Sequence, residues 1–385
     1  MSGVDIAFLS IAVMLMLIYS GIHVAIALIL LSFGGVWLLR GNFDIASNML
    51  VLAFKDSISD YLFGVVPLFV LMGLLVAVAG IGRDTFEVAA QLFRRVAGGL
   101  GIATVAANAV FAAITGISIA SAAVFTKVAV PEMIRHGYTP RFAVGVVAGS
   151  SVLGMLIPPS LLFILYGVLT EQSVGSLFIA GVIPGTLLAV VYCIGIVSMG
   201  KWWPSFIGGR SSASYDTSQD MGIGEMANKI APILILIALV LGGIYGGYFT
   251  PTEAGAAGAL GALVISLAKG RLTWASFWQV LVQTGHTTSS ICFLIIGASL
   301  YSRMLAMSGM PGWLGNFVVE SGMGATGIIL ALMLVIILLG TILDSASIML
   351  LTLPIALPIL TSTGVDLIWL GVMVGLAVEI GLLTP

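Results

Sequence analysis

Charge is what this sequence has least of. Only 8% of its 385 residues are Asp, Glu, Lys or Arg, against 60% hydrophobic, and the mean hydropathy is +1.20. A soluble domain carries roughly 25% charged residues, so a water-exposed globule is excluded and a polytopic membrane protein remains. Cysteine is nearly absent too. Cys193 and Cys292 each sit in apolar sequence, without the spacing of a metal site or a disulfide framework. The three histidines, His23, His136 and His286, are scattered and form no ligand cluster. With a net charge of −2 and no basic run, nothing marks a nucleic-acid partner. The N-terminus lacks a basic n-region and a small-residue cleavage site, so Met1-Ser-Gly-Val-Asp5 leads into a first membrane helix.

What is there in abundance is hydrophobic length. A spanning helix needs about 20 apolar residues. The pattern predicts spans at 5–20, 22–39, 58–80, 140–170, 175–200, 230–249, 254–268, 284–307 and from 366 onward. Surface helices are expected over 43–57, 83–95 and near 272–283, with a short segment at Pro311-Gly-Trp313. The polar linker 201–229, with Lys201, Arg210, Lys229 and the run Ser211-Ser-Ala-Ser-Tyr-Asp-Thr-Ser-Gln-Asp220, divides the chain into halves.

Two apolar stretches are interrupted in a way lipid-facing helices are not. In 99–136 the sequence Ala112-Ala-Ile-Thr-Gly-Ile-Ser-Ile-Ala-Ser121 collects Thr115, Gly116, Ser118 and Ser121 at mid-length. A turn inside a membrane exposes backbone groups that need small or polar neighbours. Arg83, Arg94 and Arg95 precede this stretch, and Arg135 and Arg141 follow it. Basic residues favour the cytoplasmic side, so both ends belong there and 99–136 reads as a re-entrant hairpin with its tip at Thr115–Ser121. The stretch 324–363 has no Lys or Arg at either end and holds Gly340-Thr-Ile-Leu-Asp-Ser-Ala-Ser347. It reads as a second hairpin, entering from the opposite face.

The halves also match each other. A shift of 224 places Phe69 on Phe293, Gly73 on Gly297, Gly116 on Gly340 and Ser121 on Ser345; a shift of 227 places Pro131 on Pro358, Gly154 on Gly381 and Pro158 on Pro385. The expected fold is therefore all-α, an inverted repeat with two re-entrant hairpins, each followed by a broken helix. Inverted repeats with interrupted helices point to a secondary transporter whose site lies near mid-membrane. The first break is Gly149-Ser-Ser-Val-Leu-Gly-Met-Leu-Ile-Pro158-Pro159-Ser160, where two prolines remove backbone donors and free carbonyls. Freed carbonyls and Ser hydroxyls make a hard-oxygen site suited to Na⁺. Helix N-termini at the tips favour an anionic substrate, with Ser118, Ser121, Pro158, Ser345 and Thr384 as its expected contacts. A carboxylate deep in an apolar segment, as Asp344 and Glu379 are, is a functional candidate by default. Lys127, on the returning arm of the first hairpin, either snorkels or attracts the anion. By the repeat's symmetry the chain past Glu379-Ile-Gly-Leu-Leu-Thr-Pro385 lacks the outer half of its second broken helix and a closing span, so it is expected to be C-terminally truncated.

These motifs resemble the large membrane subunit of TRAP transporters, the tripartite ATP-independent periplasmic systems for organic acids. The resemblance rests on Pro67-Leu-Phe-Val-Leu-Met-Gly73, Gly116-Ile-Ser-Ile-Ala-Ser-Ala-Ala123, Val130-Pro-Glu-Met-Ile-Arg-His-Gly-Tyr138, Leu153-Gly-Met-Leu-Ile-Pro-Pro-Ser160 and Glu379-Ile-Gly-Leu-Leu-Thr-Pro385. It covers essentially the whole chain. His23 departs from it, standing where the family often has Pro, in a scaffold turn. The resemblance implies an elevator-type carrier in the bacterial inner membrane that takes up a C4-dicarboxylate, sialic acid or similar carboxylate. Na⁺ would be the coupling ion, and no cofactor is implied. Carried over by position, the resemblance implies a first Na⁺ site of the Gly116–Ser121 tip (Gly116, Ser118, Ser121) with Ser150–Pro158 (Ser150, Ser151, Gly154). It implies a second of Gly340–Ser347 (Gly340, Asp344, Ser345, Ser347) with Glu379–Pro385 (Glu379, Gly381). A transport domain of 99–170 and 324–385 would move against a scaffold of 1–98 and 171–323. The implied partners are a small four-helix membrane subunit and a periplasmic substrate-binding protein. Two other readings compete: a stand-alone carboxylate carrier or Na⁺/H⁺ exchanger of related fold, and an intramembrane hydrolase using Ser118 or Ser121. The hydrolase lacks a His or Lys base in a matching apolar segment.

Overall fold

A computed structural model describes residues 2–59, 64–208, 221–321, 324–362 and 364–384. The linker run 211–220, Arg210 and Pro385 lie outside these residues. In chain order the first helices are α1 (Gly3–Tyr19), α2 (Val24–Arg40), α3 (Phe43–Ser59), α4 (Val65–Val78) and α5 (Ile81–Phe93). There follow α6 (Gly99–Thr115), α7 (Ser118–Arg135), α8 (Pro140–Ser151), α9 (Leu153–Leu156), α10 (Leu161–Thr170), α11 (Val174–Trp202) and α12 (Pro204–Ile207). The second half holds α13 (Ile223–Tyr245), α14 (Pro251–Ala268), α15 (Trp274–Ser308), α16 (Met310–Ser321), α17 (Ala325–Gly340), α18 (Ser345–Ser362) and α19 (Leu367–Leu383). Among the described residues the architecture is all-α; one isolated bridge, Tyr138 with Gly208, is the exception.

The expected hairpins are there. α6 ends where Gly116 turns left-handed at φ 62°, and α7 starts two residues later. α17 ends at Gly340 and α18 starts at Ser345. With 17 and 16 residues, α6 and α17 reach about 24–26 Å at 1.5 Å per residue, less than the roughly 30 Å of a bilayer core. α11, α13, α14 and α15 are long and apolar enough to cross.

Three sequence readings shift in detail. The surface helix near 272–283 and the span 284–307 form the single helix α15 of 35 residues, because nothing between them breaks a helix. The segment at Pro311–Trp313 belongs to the 12-residue α16, with Pro near its start, where a missing N–H costs nothing. The helix expected over 83–95 starts at Ile81 and is not simply superficial, since Asp84, Thr85, Phe86, Val88 and Ala89 are buried.

The chain divides into two compact units. One contains Val65–Ile164 and Ser173–Gly285, the other Met1–Gly64, Leu165–Gln172 and His286–Pro385. Each holds one hairpin.

In the first unit, α4 turns into α5 through a 60° bend at Gly80, whose φ is 67°. A buried ion cluster fixes this corner. Asp84 is 3% exposed and pairs with Lys269 and with Arg271, whose Nη2 lies 3.3 Å from Asp84 Oδ1. Arg271 Nη1 also donates to the Ala79 carbonyl at 2.9 Å, and a β-carbon on Gly80 would run into the guanidinium. Breaking a fully buried pair costs roughly 3–5 kcal/mol; exposure of Arg271 screens part of it. Asp84→Ala is therefore expected to destabilise by about 2 kcal/mol, seen as a lower melting temperature in detergent. Asp84→Glu should lose less.

Candidate functional site

At the first hairpin tip the backbone is tightly packed. A β-carbon on Gly116 would lie 2.7 Å from the Pro159 carbonyl oxygen, and one on Gly154 would lie 3.1 Å from Ser118 N and Cα. The Gly116 carbonyl accepts from Leu161 N at 3.1 Å, so the tip is stitched to the start of α10. Between α9 and α10 the prolines leave a gap in the helical ladder. The carbonyls of Leu156, Ile157, Pro158 and Pro159 accept no hydrogen bond among the described residues. Ser118 lies at the N-terminus of α7, 5% exposed, and its hydroxyl has no partner among the described residues.

Ser121 and Ser150 are joined by a residue the sequence reading missed. Asn108, fully buried on α6, accepts from Ser121 Oγ at 2.5 Å and donates through Nδ2 to Ser150 Oγ at 2.5 Å. Ser150 in turn donates to the Val146 carbonyl at 2.7 Å. One amide thus ties both hairpin arms to α8. The available signal was an Asn in the otherwise apolar arm Gly99–Thr115. Ser151 takes no part: its hydroxyl donates to Ala148 of its own helix at 2.7 Å.

The second unit repeats the design with different chemistry. A β-carbon on Gly340 would fall 2.5 Å from Gly381 Cα, so α17 and α19 meet backbone to backbone. α19 leaves the helix at Thr384 (φ −87°, ψ 130°), as α9 does at the repeat-matched Ile157 (φ −80°, ψ 124°). The carbonyls of Thr341, Ile342 and Leu343 accept no hydrogen bond among the described residues. Ser345 Oγ donates to Glu379 Oε1 at 3.3 Å, while Glu379 Oε2 is buried without a partner among the described residues, the residue being 1% exposed. An unpartnered buried carboxylate oxygen is costly, and such a cost persists where a function needs it.

Asp344 is placed otherwise. It is exposed and caps α18, accepting from Ser347 Oγ at 2.5 Å and from Ser347 N at 3.3 Å, as an N-cap side chain does. Thr384 is exposed, and its hydroxyl donates to the Gly381 carbonyl at 2.7 Å. Of the expected second-site residues, Gly340, Gly381, Ser345 and Glu379 converge directly. Ser347 is buried and faces Asp344.

Paired helices that reverse at oxygen-rich tips within an apolar all-α chain define a multi-pass membrane carrier. A family profile described as "Tripartite ATP-independent periplasmic transporter, DctM component" matches residues 11–385, and the chain belongs to this family. It is 32% identical over 367 residues to the C4-dicarboxylate TRAP transporter large permease protein DctM of Pseudomonas aeruginosa, covering 91% of this chain and 81% of that protein. It is 29% identical over 373 residues to the sialic acid TRAP transporter large permease protein SiaM of Vibrio cholerae, covering 96% and 84%. The crystal structure of the Alcanivorax borkumensis YdaH transporter has a similar fold, with a TM-score of 0.54 over 89% of this chain and 77% of that one. At 14% identity that likeness concerns the fold alone. The family is one of transporters and not enzymes, which sets aside the intramembrane hydrolase.

Proposed function

We propose that this chain is the large subunit of a transporter that couples inward Na⁺ flow to uptake of a small carboxylate across the bacterial inner membrane. The relatives named for C4-dicarboxylates and sialic acid support a carboxylate substrate. The observation that carries Na⁺ coupling is the set of unpartnered oxygens at each tip. In the first unit these are the carbonyls of 157–159, with that of Pro159 against Gly116, and the Ser118 hydroxyl; in the second, the carbonyls of 341–343 and Glu379 Oε2. Hard oxygen donors of this kind suit a group I cation and would take the place of its water. The N-termini of α7 and α18, at Ser118 and Ser345, would present amide dipoles to the carboxylate. Hairpin segments 99–170 and 324–385 would move together between faces against the remaining helices. A small four-helix membrane subunit and a periplasmic binding protein would complete the system.

The test is uptake by proteoliposomes holding the chain with its small subunit, supplied with the loaded binding protein. Uptake should require both the binding protein and an inward Na⁺ gradient, and a Na⁺ ionophore should abolish it. Undiminished uptake with choline replacing Na⁺ would overturn the coupling. Uptake needing no binding protein would favour the stand-alone carrier.

A further inference from the structure

A cavity of about 1020 Å³ opens among α5, α7 and the start of α13, its lining free of residues of the first hairpin tip. Its charged lining is Arg83, Arg94, Lys127, Arg135 and Lys229 against Glu87, Glu132 and Glu225; with Arg94 set aside as already partnered, one positive charge is in surplus among the described residues. The glutamates are already engaged. Glu87 pairs with Arg83 and with Lys229, each at 2.9 Å, and Glu225 pairs with Lys229 at 2.9 Å. Glu132 lies 4.0 Å from Arg135 and 3.5 Å from the His136 ring. Lys127 has no ion-pair partner among the described residues. It stands on α7, the arm that begins at the first tip with Ser118, some 13 Å along the helix at 1.5 Å per residue. A cleft lined by surplus charge of one sign concentrates ions of the other.

We propose that this cavity is an anion-binding vestibule on the inner face, and that Lys127 holds the carboxylate of a substrate leaving the first hairpin. The inference rests on the carboxylate-carrier reading and on the inner-face assignment of the hairpin's ends. Lys127 rides on the hairpin arm itself and lines the cavity, so a carboxylate departing along that arm would meet it. The shared chemistry, a carboxylate or phosphate beside a lysine, would also admit an anionic lipid headgroup, so the experiment separates the two.

In proteoliposomes of the complete transporter, the Lys127 amine is acetylated from the inner face with and without succinate, and the modified peptide is quantified. Succinate at 10 mM should slow acetylation about threefold or more relative to chloride of equal ionic strength. Lys127→Gln should raise the half-saturating internal succinate for exchange about fivefold, roughly the loss of one charge-assisted contact, and leave the external value unchanged. Lys127→Arg should restore the internal value; a merely structural lysine would move both sides. Absence of protection in vesicles that do take up succinate overturns the proposal. So does protection that follows the phosphatidylglycerol content of the vesicles and not succinate. Protection by succinate in vesicles with no Na⁺-driven uptake would leave the vestibule standing and remove the transport reading instead.

Discussion

Glu379→Gln is expected to raise the half-saturating Na⁺ concentration for uptake at least tenfold, or to abolish Na⁺ dependence, while leaving the protein as stable as before or more so. The substitution puts an amide oxygen, to which Ser345 can still donate, at the position of Oε1. It removes an ionisable carboxyl group and replaces the orphan oxygen with a donor. If Glu379 served packing alone, exchanging its carboxyl for an amide of the same shape would change stability little and do nothing else. If Oε2 is held for a cation, the loss is functional. A tenfold change corresponds to about 1.4 kcal/mol of ion binding, well within what one charged ligand contributes. Asp344→Asn is the matched contrast. Asn caps helices as well as Asp does, so Na⁺ dependence and melting temperature should both change little. Unchanged Na⁺ dependence would assign Asp344 to capping α18; a loss as large as that of Glu379→Gln would restore it as an ion ligand.

Gly340→Val is expected to eliminate uptake and to lower the melting temperature. In a membrane, helices associate through close packing of small residues, since lipid gives no hydrophobic drive between them. Here the approach is between backbones, with a β-carbon at 340 only 2.5 Å from Gly381 Cα, so no side chain can rotate away. Overpacking costs about 1–3 kcal/mol where neighbours can yield; with backbone on both sides the upper end applies. α17 and α19 would have to separate, carrying Ser345 away from Glu379. Gly145, in α8, has nothing within 4 Å of its would-be β-carbon. Gly145→Ala should therefore be neutral, or stabilising by about 0.5–1 kcal/mol through helix propensity, and serves as the control.

Much of this was legible in the sequence because the devices involved are local. A Gly with hydroxyls in an apolar run marks a chain reversal, and the tips fall at Gly116 and Gly340–Ser345 as the composition of those stretches implies. The proline pair marks the break between α9 and α10 for the same reason. What escaped the sequence depends on pairs far apart in the chain. Asn108 meets Ser150 across 42 positions and Asp84 meets Lys269 across 185, and no periodicity reports such distances. So Asn108 went unnoticed in its arm, and α5 read as a surface helix because its Asp84 looked solvated and is instead neutralised by Lys269 and Arg271. Asp344 was weighed as an ion ligand because depth in an apolar run was visible, whereas its turn toward Ser347 was not.

The account depends above all on the first hairpin beginning and ending at one face of the membrane and the second hairpin at the other. Single cysteines at 94, 141 and 366, in a background with Cys193 and Cys292 replaced, can be probed with an impermeant maleimide from either side. Positions 94 and 141 should label only from the cytoplasmic side and 366 only from the periplasmic side. Labelling of 94 and 141 from different sides would mean that 99–136 crosses the bilayer, and the carrier geometry proposed here would be wrong.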